Sequence, residues 1–281
     1  MSKIALITDS SCDLTSEIIK EYNIRILPLR IIYKDKEYVD RVTITPNEVY
    51  DNLVNEVPTT SMPSMGDMEN LFTLIEEEGY THVIAITLSS GLSGTFNALK
   101  LVSENHSNLI TYLFDSKSLS LGLGALVQEC GKLISEGKSF EEIVDILPAV
   151  KERISLYYVV ETLEYLKKGG RIGKVAGTIG DLLNIKPIIS IDDEGKYYTH
   201  AKVRGRKQSI TKLIDIAKET LDHTKAKIFI MHGGALEQGR KMYDTFNGHP
   251  NVTSLYFTDI SPALGVHTGP GLLGIAVVRE N

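Results

Sequence analysis

The sequence predicts an α/β protein of two units, each a mostly parallel or mixed sheet flanked by helices. Three observations lead there. Short apolar runs of strand length recur along the chain, stretches with helical periodicity lie between them, and the composition changes near residue 150. At 281 residues the chain exceeds the usual single-domain range, so we place one unit at 1–150 and a second at 151–281, allowing some N-terminal segments to pack with the second.

The elements follow in order. Residues 4–7, 83–86, 109–114 and 228–231 are apolar runs that read as strands buried on both faces, the pattern of a parallel sheet covered by helices. Apolar positions three and four apart predict helices through Met68, Leu71, Phe72 and Ile75, through Phe140, Ile143, Val144 and Leu147, and through Ile210, Leu213, Ile214, Ala217 and Leu221. Beyond residue 150 the strand candidates carry more β-branched residues and tyrosine: 157–160, 187–191 and 275–278. The glycine-rich stretch from Lys167 to Lys174 opens this second half.

Composition removes several function classes. Hydrophobic residues at 42% and charged residues at 23% fit a globular chain with a sizeable core. The formal charge of −6, with Lys and Arg dispersed, offers no basic face for nucleic acid. Cys12 and Cys130 form no Cys-x-x-Cys pair, leaving room for at most one disulfide, and a reducing cytoplasm fits best. The first apolar run is too short for a signal-peptide core, and no stretch is long enough to span a bilayer. The seven histidines never fall at metal-ligand spacing, so no metal or other cofactor is expected.

Chemistry is expected where the buried strands end in small polar residues: Asp9-Ser10-Ser11, Ser89-Ser90-Gly91, Asp115-Ser116 and His232-Gly233-Gly234. Ligands of open α/β sheets bind beyond those strand ends, although the same residues also cap helices. The segment from Leu88 to Phe96 joins a strand to a helix, and its hydroxyls and backbone N–H groups suit a phosphate or carboxylate. It lacks the P-loop pattern, and Ser93 lies in Gly91-Leu92-Ser93-Gly94, which is not a nucleophile elbow. The hydroxyls from Thr59 to Ser64 either cap the next helix or meet a ligand, and Met62, Met65 and Met68 read as core filler before lipid wall. Near the end, Gly269-Pro270-Gly271-Leu272-Leu273-Gly274 mimics a dinucleotide fingerprint. An apolar strand-like run follows it where a helix is required, so the match is false. His267 beside it reads as structural by its type alone. Arg171 and the run from Lys202 to Lys207 read as solvated faces, with partner docking as the functional alternative.

Together the motifs resemble the DegV family of bacterial fatty-acid-binding proteins, substrate carriers for a separate fatty acid kinase. The resemblance runs through Ile7-Thr8-Asp9-Ser10, Thr60-Ser61-Met62-Pro63-Ser64, Leu88 to Thr95, Asp115-Ser116-Lys117, Leu163 to Ile172, Leu183-Asn184-Ile185-Lys186-Pro187 and His267-Thr268-Gly269-Pro270-Gly271. Met62 departs from it, since the family commonly has glutamine there.

The resemblance implies a two-domain DegV-like fold with a lipid tunnel between the domains. It implies one long-chain fatty acid, such as palmitate or oleate, whose carboxylate is bound by Thr60 and Ser93 with His267 nearby. Arg171 and Arg204 would serve partner docking or head-group presentation. The partners implied are the ATP-binding kinase subunit, an acyltransferase system downstream and, transiently, a membrane surface. The chain itself would be cytoplasmic and not an enzyme, and the acyl phosphate would feed phospholipid synthesis. Burying about 15 methylenes at roughly 0.8 kcal/mol each makes the tail the source of affinity, on the order of 12 kcal/mol gross. The head, met by hydroxyls without a close cation, is expected to have a raised pKa. A regulatory lipid sensor and a Ser93/His267 lipid hydrolase remain as alternatives.

Overall fold

The computed structural model describes residues 2–178 and 184–280. Leu183, first residue of the 183–187 motif, lies outside the described residues. Four parallel strands form one sheet in the order β2 (Arg25–Leu27), β1 (Ile4–Asp9), β6 (His82–Thr87), β7 (Ile110–Asp115). Ile4 pairs with His82 and Ile7 with Ala85, so the two most apolar runs lie side by side at the centre. β1 and β6 are buried on both faces, as their unbroken Ile, Ala, Leu and Val content requires. β7 differs from the expectation: it is an edge strand, partly exposed along its length, because it has a neighbour on one side only.

Helices α1 (Ser16–Glu21), α3 (Met65–Glu77), α4 (Thr95–Glu104), α5 (Ser120–Ser135) and α6 (Phe140–Glu152) accompany this sheet. Ser64 starts α3 by accepting from the Asp67 N–H, after which Met68, Phe72 and Ile75 turn into the core, as their spacing predicts. α6 opens with a capping box between Ser139 and Glu142.

The second sheet is mixed, with six strands in the order β10 (Tyr197–Ala201), β9 (Ile188–Ile191), β8 (Ile154–Val159), β13 (Leu272–Arg279), β11 (Ala226–Gly233), β12 (Val252–Asp259). Only β11 and β12 run parallel; β13 is antiparallel to both of its neighbours. α7 (Glu164–Lys168), a 3₁₀ turn (Gly173–Thr178), α8 (Arg206–Leu221), α9 (Leu236–Phe246) and α10 (Pro262–Thr268) complete this half. The false fingerprint runs into β13, which begins at its Leu272.

A small antiparallel sheet, β4 (Glu37–Val39), β3 (Arg30–Ile32), β5 (Thr59–Ser61), and α2 (Pro46–Asn52) come from the first 61 residues. Both β3 and β5, together with α2, pack on α10, so residues distant in sequence meet there. Cys12 and Cys130 are separate buried thiols, so the single disulfide that the cysteine count left open is not formed. Among the described residues no helix is long and apolar enough to cross a membrane.

Candidate functional site

Four predicted residues converge on one cavity of ≈ 110 Å³: Thr60, Ser93, Arg171 and His267. Each arrives on a different element. Thr60 is the middle residue of β5, held opposite Ile31 of β3. Ser93 ends a helical turn in which its N–H bonds the Ser89 carbonyl at 3.1 Å. Asp9 supports that loop from beneath, accepting from the Leu88 N–H at 2.7 Å, while the Ser89 hydroxyl donates to the Gly195 carbonyl at 2.7 Å. Asp9 and Ser89 are thus structural supports, and only Ser93 lines the cavity.

His267 sits in the last turn of α10, with Nε2 2.6 Å from the Thr60 hydroxyl. Its Nδ1 is buried and has no partner among the described residues, and it faces Gly169, where a Cβ would fall 2.1 Å away. Burial, and then the charge of Arg171, push the imidazole down to about 4 from its ordinary 6.5, so the ring is neutral at neutral pH. Arg171 follows α7 and donates from Nη1 to the Gly169 carbonyl at 2.6 Å and from Nε to the Leu92 carbonyl at 3.4 Å.

α10 is also anchored at its other end. The buried Asp13 carboxylate accepts from the Ser261 N–H at 2.7 Å and from the Ser120 hydroxyl at 2.5 Å, and pairs with Arg41 at 2.9 Å. Asp40 accepts from the Ala263 N–H at 2.9 Å and the Ser10 hydroxyl at 2.5 Å. Burial raises these carboxyls, Asp13 to about 6 and Asp40 to about 7. Carboxylates suit a helix N-terminus, so this network fixes the helix that carries His267.

Leu29, Leu88, Leu92, Leu119, Tyr197 and Leu264 supply the apolar walls. A second, smaller cavity of ≈ 20 Å³ shares Leu119, Tyr197 and Leu264 with the first, and its other walls are mainly apolar, with Ser120 and Thr268 among them. The arrangement is a short polar end leading into an apolar interior.

Three sequence expectations need correction. Arg171 is not a solvated charge: it lines the cavity and sets a guanidinium beside the hydroxyls of Thr60 and Ser93, where hydroxyls alone were expected. Within the basic run, Arg206 is half-buried, donates to the Gly271 carbonyl and lies 3.5 Å from Glu161, whereas Arg204 is exposed and is not part of the cavity lining. The three methionines separate: Met68 is core, Met65 is exposed and Met62 lines the cavity. Sequence reasoning missed Asp13, Asp40 and Arg41, and the wall residues Leu119, Tyr197 and Leu264. No local pattern marks them, because their significance lies in contacts across the chain. Among the described residues no group of three or more His, Cys, Asp or Glu could hold a metal ion.

The DegV family model, described as one of uncharacterised proteins, matches residues 3–280. The chain belongs to the DegV family. A DegV domain-containing protein of Clostridium acetobutylicum is 58% identical over 280 residues, with 100% of each chain covered. Among solved structures, the chain is similar to a fatty-acid-binding DegV family protein from Thermus thermophilus, with 26% identity, TM-score 0.92, and 99% and 100% of the two chains covered. It is also similar to a stearic-acid-binding protein from Eubacterium ventriosum, with 29% identity, TM-score 0.88, and 99% and 98% covered. The α/β architecture of this DegV chain, mixed sheets flanked by helices, is therefore that of its relatives.

Proposed function

We infer that this chain binds one long-chain fatty acid, of about C16 to C18, and presents its carboxylate to a partner ATP-dependent fatty acid kinase for acyl-phosphate formation. One observation carries the reading: Thr60, Ser93, His267 and Arg171, from four separate elements, meet at the polar end of a cavity whose other walls are apolar. Hydroxyls and a guanidinium are donors for a carboxylate, and the apolar interior suits an acyl chain. In the tautomer that carries its proton on Nε2, His267 donates to Thr60 and leaves the threonine hydroxyl free to donate to that carboxylate. The neutral ring adds no second positive charge beside Arg171.

The hydrogen bonds argue against a hydrolase. His267 pairs with Thr60, and Ser93 pairs with Thr95 at 2.9 Å, so Ser93 and His267 do not form a nucleophile–base pair. Carriage without catalysis by this chain is the reading we adopt, in a cytoplasmic setting and upstream of an acyltransferase system. The exposed Arg204 is assigned to kinase docking, and Arg171 to holding the head group.

Native mass spectrometry of protein purified from cells tests this. A retained mass of one C16 or C18 acid per chain is expected, and delipidation should lower the melting temperature because the ligand stabilises only the folded state. Protein that carries no fatty acid and takes up neither palmitate nor oleate would refute the reading.

A further inference from the structure

The smaller cavity shares Leu119, Tyr197 and Leu264 with the head-group cavity, and Met231 forms part of its lining. On the fatty-acid reading above, an acyl chain that runs inward passes these three shared residues. Beyond them, ≈ 20 Å³ is room for little more than one water-sized group, so the terminal methylenes of a long chain need a side chain that yields. The remaining walls are poorly suited to yielding. Tyr158 is a planar ring, Leu156, Ile260 and Leu272 are branched, and Thr268 is tied to the Leu264 carbonyl at 3.1 Å. Met231 is the unbranched one, with three freely rotating bonds along a thioether.

Its setting is unusual for a buried residue. Met231 of β11 pairs directly with Gly274 of β13, and its side chain lies flat over that glycine. A Cβ on Gly274 would stand 2.8 Å from Met231 Cγ and 2.9 Å from Sδ. Any residue but glycine at 274 would force the thioether to move. Ser120 also reaches the sulfur, its hydroxyl 3.3 Å from Sδ. That hydroxyl has one proton, and the Asp13 carboxylate at 2.5 Å is the stronger acceptor, so the sulfur is touched by Ser120 but not tethered.

We propose that Met231 is the chain-length stop of the acyl site: a flexible plug over Gly274 whose position sets how many methylenes fit beyond the neck of Leu119, Tyr197 and Leu264. This rests on the fatty-acid reading above and goes beyond it by naming the residue that selects the ligand.

The test is competition. Delipidated protein is incubated with an equimolar mixture of saturated C12 to C22 acids, and the bound distribution is read by native mass spectrometry. Met231→Ala removes Cγ, Sδ and Cε, space for about two to three methylenes, and should move the distribution to longer acids, gaining about fourfold in affinity for each methylene newly buried. Met231→Ile keeps the volume but stiffens the side chain, and should move the distribution to shorter acids even if the alanine variant folds poorly. Met242→Ala, which opens a cavity under α9 in a separate core cluster, is the control and should keep the parental distribution. Parental distributions in both Met231 variants, or an equal shift in Met242→Ala, would overturn the proposal while leaving fatty-acid binding intact. A parent that binds none of the acids would instead remove the fatty-acid reading itself.

Discussion

The neutral His267 makes a quantitative prediction. In the unfolded chain its pKa is near the ordinary 6.5, and in the fold burial and Arg171 bring it down to about 4. Between those values the unfolded chain holds more protons than the folded one, so this residue's contribution is fully present above pH 6.5 and is lost as pH falls toward 4. At roughly 1.4 kcal/mol per pH unit, the full window is worth about 3 kcal/mol. Asp13 and Asp40 act with the opposite sign. Their raised values mean that the folded state holds extra protons from about pH 4 up to about 6 and 7, so their contribution declines with rising pH. A comparison of the parent with His267→Gln cancels these carboxyls, since both proteins contain them. Urea unfolding of delipidated protein at pH 7, 5.5 and 4.5 is the assay. The parent should lose about 2 to 3 kcal/mol more than the variant across that range. Parallel pH profiles would show that the ring protonates freely and is not enclosed beside Arg171, and the electrostatic picture of the site would fall.

Ser93→Ala and Thr60→Ala should each weaken fatty-acid binding by about 1 to 3 kcal/mol with little change in chain-length preference, measured by displacement of a fluorescent fatty acid. Unchanged affinity in both would remove these hydroxyls from the head group. Arg204→Ala should retain its fatty acid through purification yet lose most acyl-phosphate formation with a cognate kinase and ATP; parental rates would make it a plain surface charge. Arg171→Ala, by contrast, should lose ligand affinity directly, and titration calorimetry with palmitate should separate the two arginines. Should Arg171→Ala bind palmitate as the parent does, the guanidinium is confined to its bonds with Gly169 and Leu92.

Much of this protein is legible in one dimension, because local rules govern it. The run Ile4-Ala5-Leu6-Ile7 can satisfy its backbone and bury both faces only inside a sheet, and it lies at the centre of one. Met68, Phe72 and Ile75 recur at helical spacing behind a Ser64 cap, and α3 forms there. Ser93 stands out in a strand-to-helix turn, whereas Thr60 and His267 are picked out only by the family resemblance. Which of them meet is a different matter. Thr60 and His267 are 207 positions apart, and their 2.6 Å contact exists because β5 and α10, which share no local signal, pack together. Arg171 reads as a solvated charge in a lysine-rich stretch, and only the chain's return past Leu92 turns it toward the cavity. The partial exposure of β7 depends on strand order, which the apolar content of the strand does not encode. Asp13 and Asp40 look like ordinary surface carboxylates; their raised pKa values come from desolvation, a property of everything packed around them. Sequence by itself determined the central strands, the most periodic helices and the candidate polar groups, since periodicity and capping act over a few residues. Tertiary structure alone decided the cavity, its charge and the protonation of its imidazole, because distance and burial are set by residues far away along the chain.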